Sequence, residues 1–139
     1  MSDHSTQSAA ALIQQYYDVF NSMDREAFLA LLTEDVVHEI NQGSSELGVA
    51  AFRAFLARMD RCYEEQVTEL VVMPSAAGDR VAAEFYIIGK YKATDEGLPP
   101  ATGQTYRLRV GAFFEIKEGL VCRVTNYYNL EEWLRQVGA

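Results

Sequence analysis

The sequence predicts an α+β domain in which a cone-shaped, curved antiparallel β-sheet wraps around N-terminal helices. Apolar residues recur every three or four positions through most of the chain up to Cys62, and at every second position afterwards. Short turns separate the later segments, which favours antiparallel pairing of consecutive strands. Helices grouped at one end of the chain must cover one face of that sheet, and a conical cavity is left between them.

The length of 139 residues fits one domain, predicted to span residues 1–139 with a flexible tail at residues 1–7. A formal net charge of −8 argues against nucleic acid and against an anionic membrane surface as partners. No apolar run approaches the ~18 residues of a membrane span. The N-terminus also lacks the pattern of a secretory signal, so we expect a cytoplasmic protein.

The two cysteines, Cys62 and Cys122, lie in apolar-periodic segments without CxxC spacing. Together with the absence of an export signal, this predicts reduced core residues rather than a disulfide. No His, Cys, Asp or Glu cluster has the spacing of metal ligands, and no cofactor motif is present. We therefore predict neither a metal nor a cofactor.

The helical half begins with an amphipathic helix over residues 8–23, whose apolar stripe is Leu12, Ile13, Tyr16, Phe20 and Met23. Asp24 is placed to cap a second, short helix with a buried side formed by Phe28, Leu29, Leu31 and Leu32. A strand at residues 35–43 and a turn at residues 44–48 follow. A third helix over residues 49–62 carries the stripe Phe52, Phe55, Leu56, Met59 and Cys62.

The second half alternates in polarity and predicts strands at residues 66–73, 80–92, 104–117 and 120–128. Proline and glycine in residues 94–103 predict a loop. Glu118-Gly119 is typical of a tight hairpin turn. Asn129 is placed to cap a last helix, with Glu132 completing a pattern similar to a capping box.

The first strand carries His38, the only histidine outside the predicted tail. Strand alternation puts His38 on one face with Val36, Ile40 and Gln42. Glu39 falls on the opposite face and is predicted to be a surface residue unless a bulge turns it inward.

Several segments resemble the ketosteroid-isomerase-related, SnoaL-like branch of the nuclear-transport-factor-2-like (NTF2-like) superfamily. The resemblance runs from Ala11 to Val137. It rests on residues 12–16, Asn21 to Asp24, residues 31–35, Gly48, residues 113–119 (Phe-Phe-Glu-Ile-Lys-Glu-Gly) and residues 125–130 (Thr-Asn-Tyr-Tyr-Asn-Leu). It implies a cystatin-like α+β roll with an apolar pocket, and commonly a dimer through the outer sheet face. The fold alone does not define a reaction.

The resemblance places the helix tyrosine of ketosteroid isomerases at Tyr16, but their base aspartate at Ile40 and their second acid at or next to Ala112. Limonene-epoxide-hydrolase-like relatives have a tyrosine at His38, an Arg/Asp pair at Phe85 and Ile87, and an aspartate at Asn126. SnoaL-like cyclases use an acidic group in the same cavity, and no acid in this sequence sits clearly on the inner face.

His38 is the leading candidate for catalysis because imidazole accepts protons near neutral pH. Beside Tyr16 it would remove a proton alpha to a carbonyl, with the phenol stabilising the enolate oxygen. Alternatively, His38 is a polar residue of a binding cavity that satisfies a neighbour. The residues predicted to bind ligand are Asn126, Ile40, Phe55, Met59, Phe85, Ile87, Val110, Ala112, Phe114, Tyr128 and Trp133.

The outer sheet face is predicted to carry Glu84, Tyr86, Arg107 and Arg109. These residues suggest a homodimer interface with ion pairs, or ordinary cross-strand pairing within one chain. Three functions remain open: a cofactor-independent isomerase, cyclase or lyase acting on a small apolar carbonyl compound, a non-catalytic ligand-binding dimer, and a protein-interaction module.

Overall fold

The computed structural model describes residues 2–41 and 43–138, which form the predicted α+β architecture. The helices are α1 (Ser2–Ser22), α2 (Arg25–Leu29), α3 (Val49–Cys62) and α4 (Leu130–Val137). The strands are β1 (Leu32–Ile40), β2 (Ser45–Leu47), β3 (Tyr63–Pro74), β4 (Arg80–Tyr91), β5 (Gln104–Lys117) and β6 (Leu120–Tyr128). They form one sheet in the order β2-β1-β6-β5-β4-β3. No helix in these residues is long and apolar enough to cross a membrane.

Several boundaries differ from the sequence prediction. Strand β1 spans Leu32–Ile40 rather than residues 35–43, so Leu32 begins this strand instead of lying on the buried side of α2, which ends at Leu29. Helix α1 begins at Ser2, so residues 2–7, predicted to be a flexible tail, are helical in the structure, while Met1 lies outside the described residues. Residues 45–47, predicted as part of a turn, form β2 because their backbone pairs with β1. Strand β3 begins at Tyr63, directly after α3, rather than at Gln66.

Local signals for turns and caps are confirmed. The Glu118 and Gly119 backbones adopt φ of 54° and 79°, as a two-residue hairpin turn with two left-handed residues requires. Asp24 accepts a hydrogen bond from the Ala27 N–H, and Asn129 accepts one from the Glu132 N–H. The Glu132 side chain instead bonds with Arg135 and Gln136, so the capping box is only half formed.

The sheet is antiparallel throughout the β3-β4-β5-β6 meander, but β1 pairs with β6 in parallel. The parallel pair joins strands far apart in sequence, to which the hairpin rule does not apply. Helix α1 docks on the sheet through Asn21, whose side-chain amide exchanges hydrogen bonds of 2.8 and 2.9 Å with the Val67 backbone. The amide thus pairs with the exposed edge of β3 as a neighbouring strand would.

The inner and outer faces of the sheet alternate as predicted. Inner residues of β5, including Leu108, Val110, Ala112 and Phe114, are buried, while Arg107 and Arg109 are exposed. The Arg107 guanidinium lies 3.6 Å from the centroid of the Tyr86 ring, and Arg109 donates to the Tyr86 hydroxyl. Cross-strand pairing within one chain is therefore present, and the homodimer through Glu84 and these three residues stays a prediction.

Candidate functional site

A cavity of about 330 Å³ lies between the inner sheet face and the helices. Every strand except β2 contributes to its wall, and so do all four helices. The apolar wall includes Phe20, Phe28, Phe52, Leu56, Leu98 and Leu108. Side chains do not fill the cavity. Its volume and its mostly apolar lining are those of a small-molecule site.

Most of the residues predicted to face a ligand do line this cavity. They are His38, Tyr16, Asn126, Ile40, Phe55, Met59, Phe85, Ile87, Val110, Tyr128 and Trp133. Ala112 and Phe114 do not line it. Both have no exposed surface and belong to the core beneath α1, where Phe114 packs against Tyr16. Gln42, predicted to share the His38 face, lies outside the described residues.

His38 is held between aromatic rings. Its imidazole stacks on Phe52 with ring centroids 4.1 Å apart and meets Phe55 edge-on at 4.6 Å. Its Nδ1 atom is enclosed, has no hydrogen-bond partner among the described residues, and lies 3.8 Å from Glu46 Oε1, beyond hydrogen-bonding distance. Burial lowers the pKa of His38 from 6.5 to about 4, so the imidazole is neutral at pH 7.

Tyr16 and Asn126 reach the same cavity from α1 and β6. The Tyr16 ring packs between Phe28, Tyr17 and Phe114. Burial raises the pKa of its hydroxyl well above the usual range, which keeps it a hydrogen-bond donor at all physiological pH values. Glu39 lies outside: its carboxylate accepts from the Thr125 hydroxyl at 2.6 Å on the outer face.

Charged side chains also line the cavity, which the sequence analysis missed. Arg25 forms a bidentate pair with Asp60, with N–O distances of 2.7 and 3.0 Å. Asp95 is buried, accepts from the Tyr63 hydroxyl at 2.9 Å, and lies 3.3 Å from the Arg58 guanidinium. No group of three or more potential metal ligands occurs in the part of the chain that the structure describes.

Glu65 is the remaining carboxylate of the cavity wall, and three strands position it. Glu65 pairs with Gly89 of β4, and Gly89 pairs with Tyr106 of β5, so the three form a cross-strand row. The Tyr106 ring lies over Gly89 and its hydroxyl donates to Glu65 Oε2. Burial raises the pKa of Glu65, while the Tyr106 hydrogen bond and the Arg25 charge lower it by less.

Gly89→Ala is expected to lower the free energy of unfolding by about 1–3 kcal/mol, because overpacking displaces a buried ring. A Cβ on Gly89 would lie 2.2 Å from the Tyr106 Cζ atom. Gly111→Ala is the matched control, because a Cβ there would meet no heavy atom within 4 Å. Urea unfolding measures both, and equal changes in the two variants would contradict the steric explanation.

A sequence signal for Glu65 exists in retrospect. Once β3 begins at Tyr63, alternation puts Tyr63, Glu65 and Val67 on one face, and Val67 is an obvious core residue. Beginning the strand at Gln66 hid this pattern. No comparable signal marks Asp95, because it lies in the loop between β4 and β5 and its burial depends on Tyr63 and Tyr91.

The chain belongs to the SnoaL-like family, because a model of the SnoaL-like domain matches residues 13–124. It is similar to a solved protein of Pseudomonas putida described as a "putative polyketide cyclase", with 56% identity over 93% of this chain and 97% of that chain and a TM-score of 0.91. A protein of Xanthomonas campestris with the same description is 52% identical over 95% of this chain and 98% of that one, with a TM-score of 0.92.

The fold extends to more distant proteins. An NTF2-like protein of unknown function from Burkholderia pseudomallei shares 16% identity over 95% of this chain and 98% of that chain, with a TM-score of 0.78. These similarities confirm the predicted NTF2-like fold. A comparison with curated proteins found no match.

Proposed function

We propose that this protein binds a small, mostly apolar carbonyl compound in the cavity and catalyses a proton transfer on it without a cofactor, giving an isomerisation or a cyclisation. The observation that carries the proposal is the convergence of His38, Tyr16 and Asn126 on one apolar cavity of about 330 Å³. The description of the two bacterial relatives as putative polyketide cyclases supports the same class of chemistry.

In this proposal His38 removes a proton from the carbon next to the carbonyl. Nδ1 is enclosed beside Glu46, so Nε2 is the ring nitrogen left for a ligand. As Nε2 accepts the proton, the C–H electron pair forms the carbon–carbon double bond of an enolate. The Tyr16 hydroxyl then donates to the enolate oxygen, where negative charge develops.

Non-catalytic binding of the same ligand is the second candidate. It is favoured by the low pKa of His38, about 4, which makes the imidazole a weak base. The apolar wall and the amide of Asn126 would still select an apolar compound carrying one hydrogen-bonding group.

Deuterium exchange tests the catalytic version. The probe is a β,γ-unsaturated cyclic ketone in D₂O, and NMR follows exchange at the carbon between the carbonyl and the double bond. Wild type should accelerate this exchange above the buffer rate. In His38→Phe, which keeps a ring against Phe52, the rate of catalysed exchange should fall by about 10²–10⁴-fold.

Asp35→Asn is the control for this exchange assay, because Asp35 is an exposed residue of the same strand. Its rate should equal that of wild type. Equal rates in wild type and His38→Phe would remove His38 as the base. Saturable binding of the ketone without any exchange would favour the binding protein.

A further inference from the structure

Glu65 is an ionisable group of the cavity wall that the proposed reaction does not use, and it differs from Asp60 and Asp95, which are held in ion pairs with arginines. Glu65 lies on β3, at the opposite end of the sheet from β1 and His38, and both side chains line the same cavity. A group removing a proton at one point of a ligand and a group delivering one at another point would have to be separated in this way.

Tyr106 fixes the orientation of the Glu65 carboxyl group. Its hydroxyl donates to Oε2, and it reaches that atom because Gly89 has no side chain beneath the ring. Oε1 accepts no hydrogen bond from a described side chain, and Glu65 belongs to the cavity wall, so Oε1 is the oxygen left to meet a ligand. Because Oε2 accepts from Tyr106, a proton on the carboxyl group sits on Oε1.

We propose that Glu65 is a second proton-transfer residue of this site, held by Tyr106 and delivering a proton from Oε1 to the bound ligand. The inference rests on the proposed function, because it supplies the second half of an isomerisation that His38 begins. His38 and Glu65 would then act as base and acid from opposite sides of the same ligand.

The step balances within the site. After His38 takes the α-proton, the enolate electron pair forms a new C–H bond at the far end of the conjugated system. That bond uses the Oε1 proton, and the O–H electrons remain on Glu65 as a carboxylate. The ligand has exchanged one C–H bond for another. The imidazolium then loses its proton to water, and the carboxylate takes one from water.

The groups around Glu65 suit a carboxyl group that changes charge. Burial favours its neutral form, as the raised pKa indicates. Arg25 of α2 and the Tyr106 hydroxyl of β5 then stabilise the carboxylate that proton delivery leaves behind. Burial raises the pKa of Tyr128 of β6, and the nearby charge of Glu65 raises that pKa further. Asp60 of α3 partly neutralises the charge of Arg25 through their ion pair.

The experiment uses the same β,γ-unsaturated ketone and two readouts. Exchange at the α-carbon requires only the base, whereas formation of the conjugated enone, followed by ultraviolet absorbance, requires delivery at a second carbon. Wild type should do both. Glu65→Gln, which keeps the size of the side chain, should lose enone formation by about 10²–10⁴-fold and retain α-exchange within about threefold.

Two variants complete the test. Glu64→Gln alters the exposed neighbouring carboxylate of the same strand and should leave both rates unchanged. Tyr106→Phe keeps the ring over Gly89 but removes the hydroxyl, so it should lower enone formation by less than Glu65→Gln does. In wild type, the rate of enone formation should fall as the pH rises and Glu65 loses its proton. This pH dependence should be absent in Glu65→Gln.

The outcomes distinguish a failure of the role of Glu65 from a failure of the proposed function. Wild-type enone formation in Glu65→Gln would overturn the role of Glu65 and leave His38 and the proposed function intact. Exchange without enone formation in wild type would also overturn the role of Glu65. Absence of both reactions in wild type would overturn the proposed function and, with it, the role of Glu65. Loss of enone formation alone in Glu65→Gln supports both.

Discussion

Replacing Phe114 by alanine should lower the free energy of unfolding by about 3–5 kcal/mol, the usual cost of truncating a fully buried phenylalanine. Phe114 has no exposed surface, and its ring centroid lies 5.0 Å from that of Tyr16 and 6.0 Å from that of Tyr17. The ring therefore fixes α1 on the sheet, and the void left by alanine would lie directly behind Tyr16.

Phe113→Ala provides a matched control one residue away. Phe113 points to the outer face, is 46% exposed, and meets Tyr127 edge-on at 5.6 Å. Phe113→Ala should lower the free energy of unfolding by about 0.5–1.5 kcal/mol, the contribution of an aromatic pair. Chemical unfolding measures both variants. Similar losses at the two positions would mean that the faces of β5 have been assigned wrongly.

Stability should also fall with pH between about 6.5 and 4 because of His38. The unfolded imidazole takes up a proton as the pH falls through 6.5, whereas the folded one stays neutral down to a pKa of about 4. In that window the unfolded state binds more protons, so the free energy of unfolding decreases as the pH decreases. A difference of about 2.5 pKa units corresponds to about 3 kcal/mol.

The His38 contribution is isolated by comparison with His38→Gln, which cannot ionise in this range. The difference in unfolding free energy between wild type and His38→Gln should decline by about 3 kcal/mol from pH 7.5 to pH 4. Carboxylates titrate in both proteins and cancel. His4→Gln measures the share of the other histidine in the same window. A pH-independent difference between wild type and His38→Gln would contradict a buried neutral imidazole.

Local patterns predicted the elements well where the chain's own neighbours decide the conformation. The α3 and β5 boundaries, the Glu118-Gly119 turn and the caps at Asp24 and Asn129 agree with the structure because each depends on residues a few positions apart. The prediction was wrong for residues 45–47, because a three-residue edge strand exists only through its pairing with β1.

For the candidate site, alternation along β1 and the resemblance to a known family predicted that His38, Tyr16 and Asn126 face one cavity. The same reasoning misplaced Ala112 and Phe114, which share the inner face of β5 but lie under α1 rather than at the cavity. Which part of an inner face is covered by helix and which part stays open depends on helix docking, to which Asn21 contributes through its hydrogen bonds with the edge of β3.

The sequence by itself determined the α+β class, the order of the long elements and the side of β1 on which the histidine lies, since periodicity encodes these directly. Only the tertiary structure decided that Glu65, Asp95 and Arg25 enter the cavity. Their placement depends on partners distant in sequence: Tyr106 two strands away, Tyr63 before the loop, and Asp60 on another helix. A charged side chain is stable inside only where such partners offset its lost hydration, and the sequence does not record which partners meet.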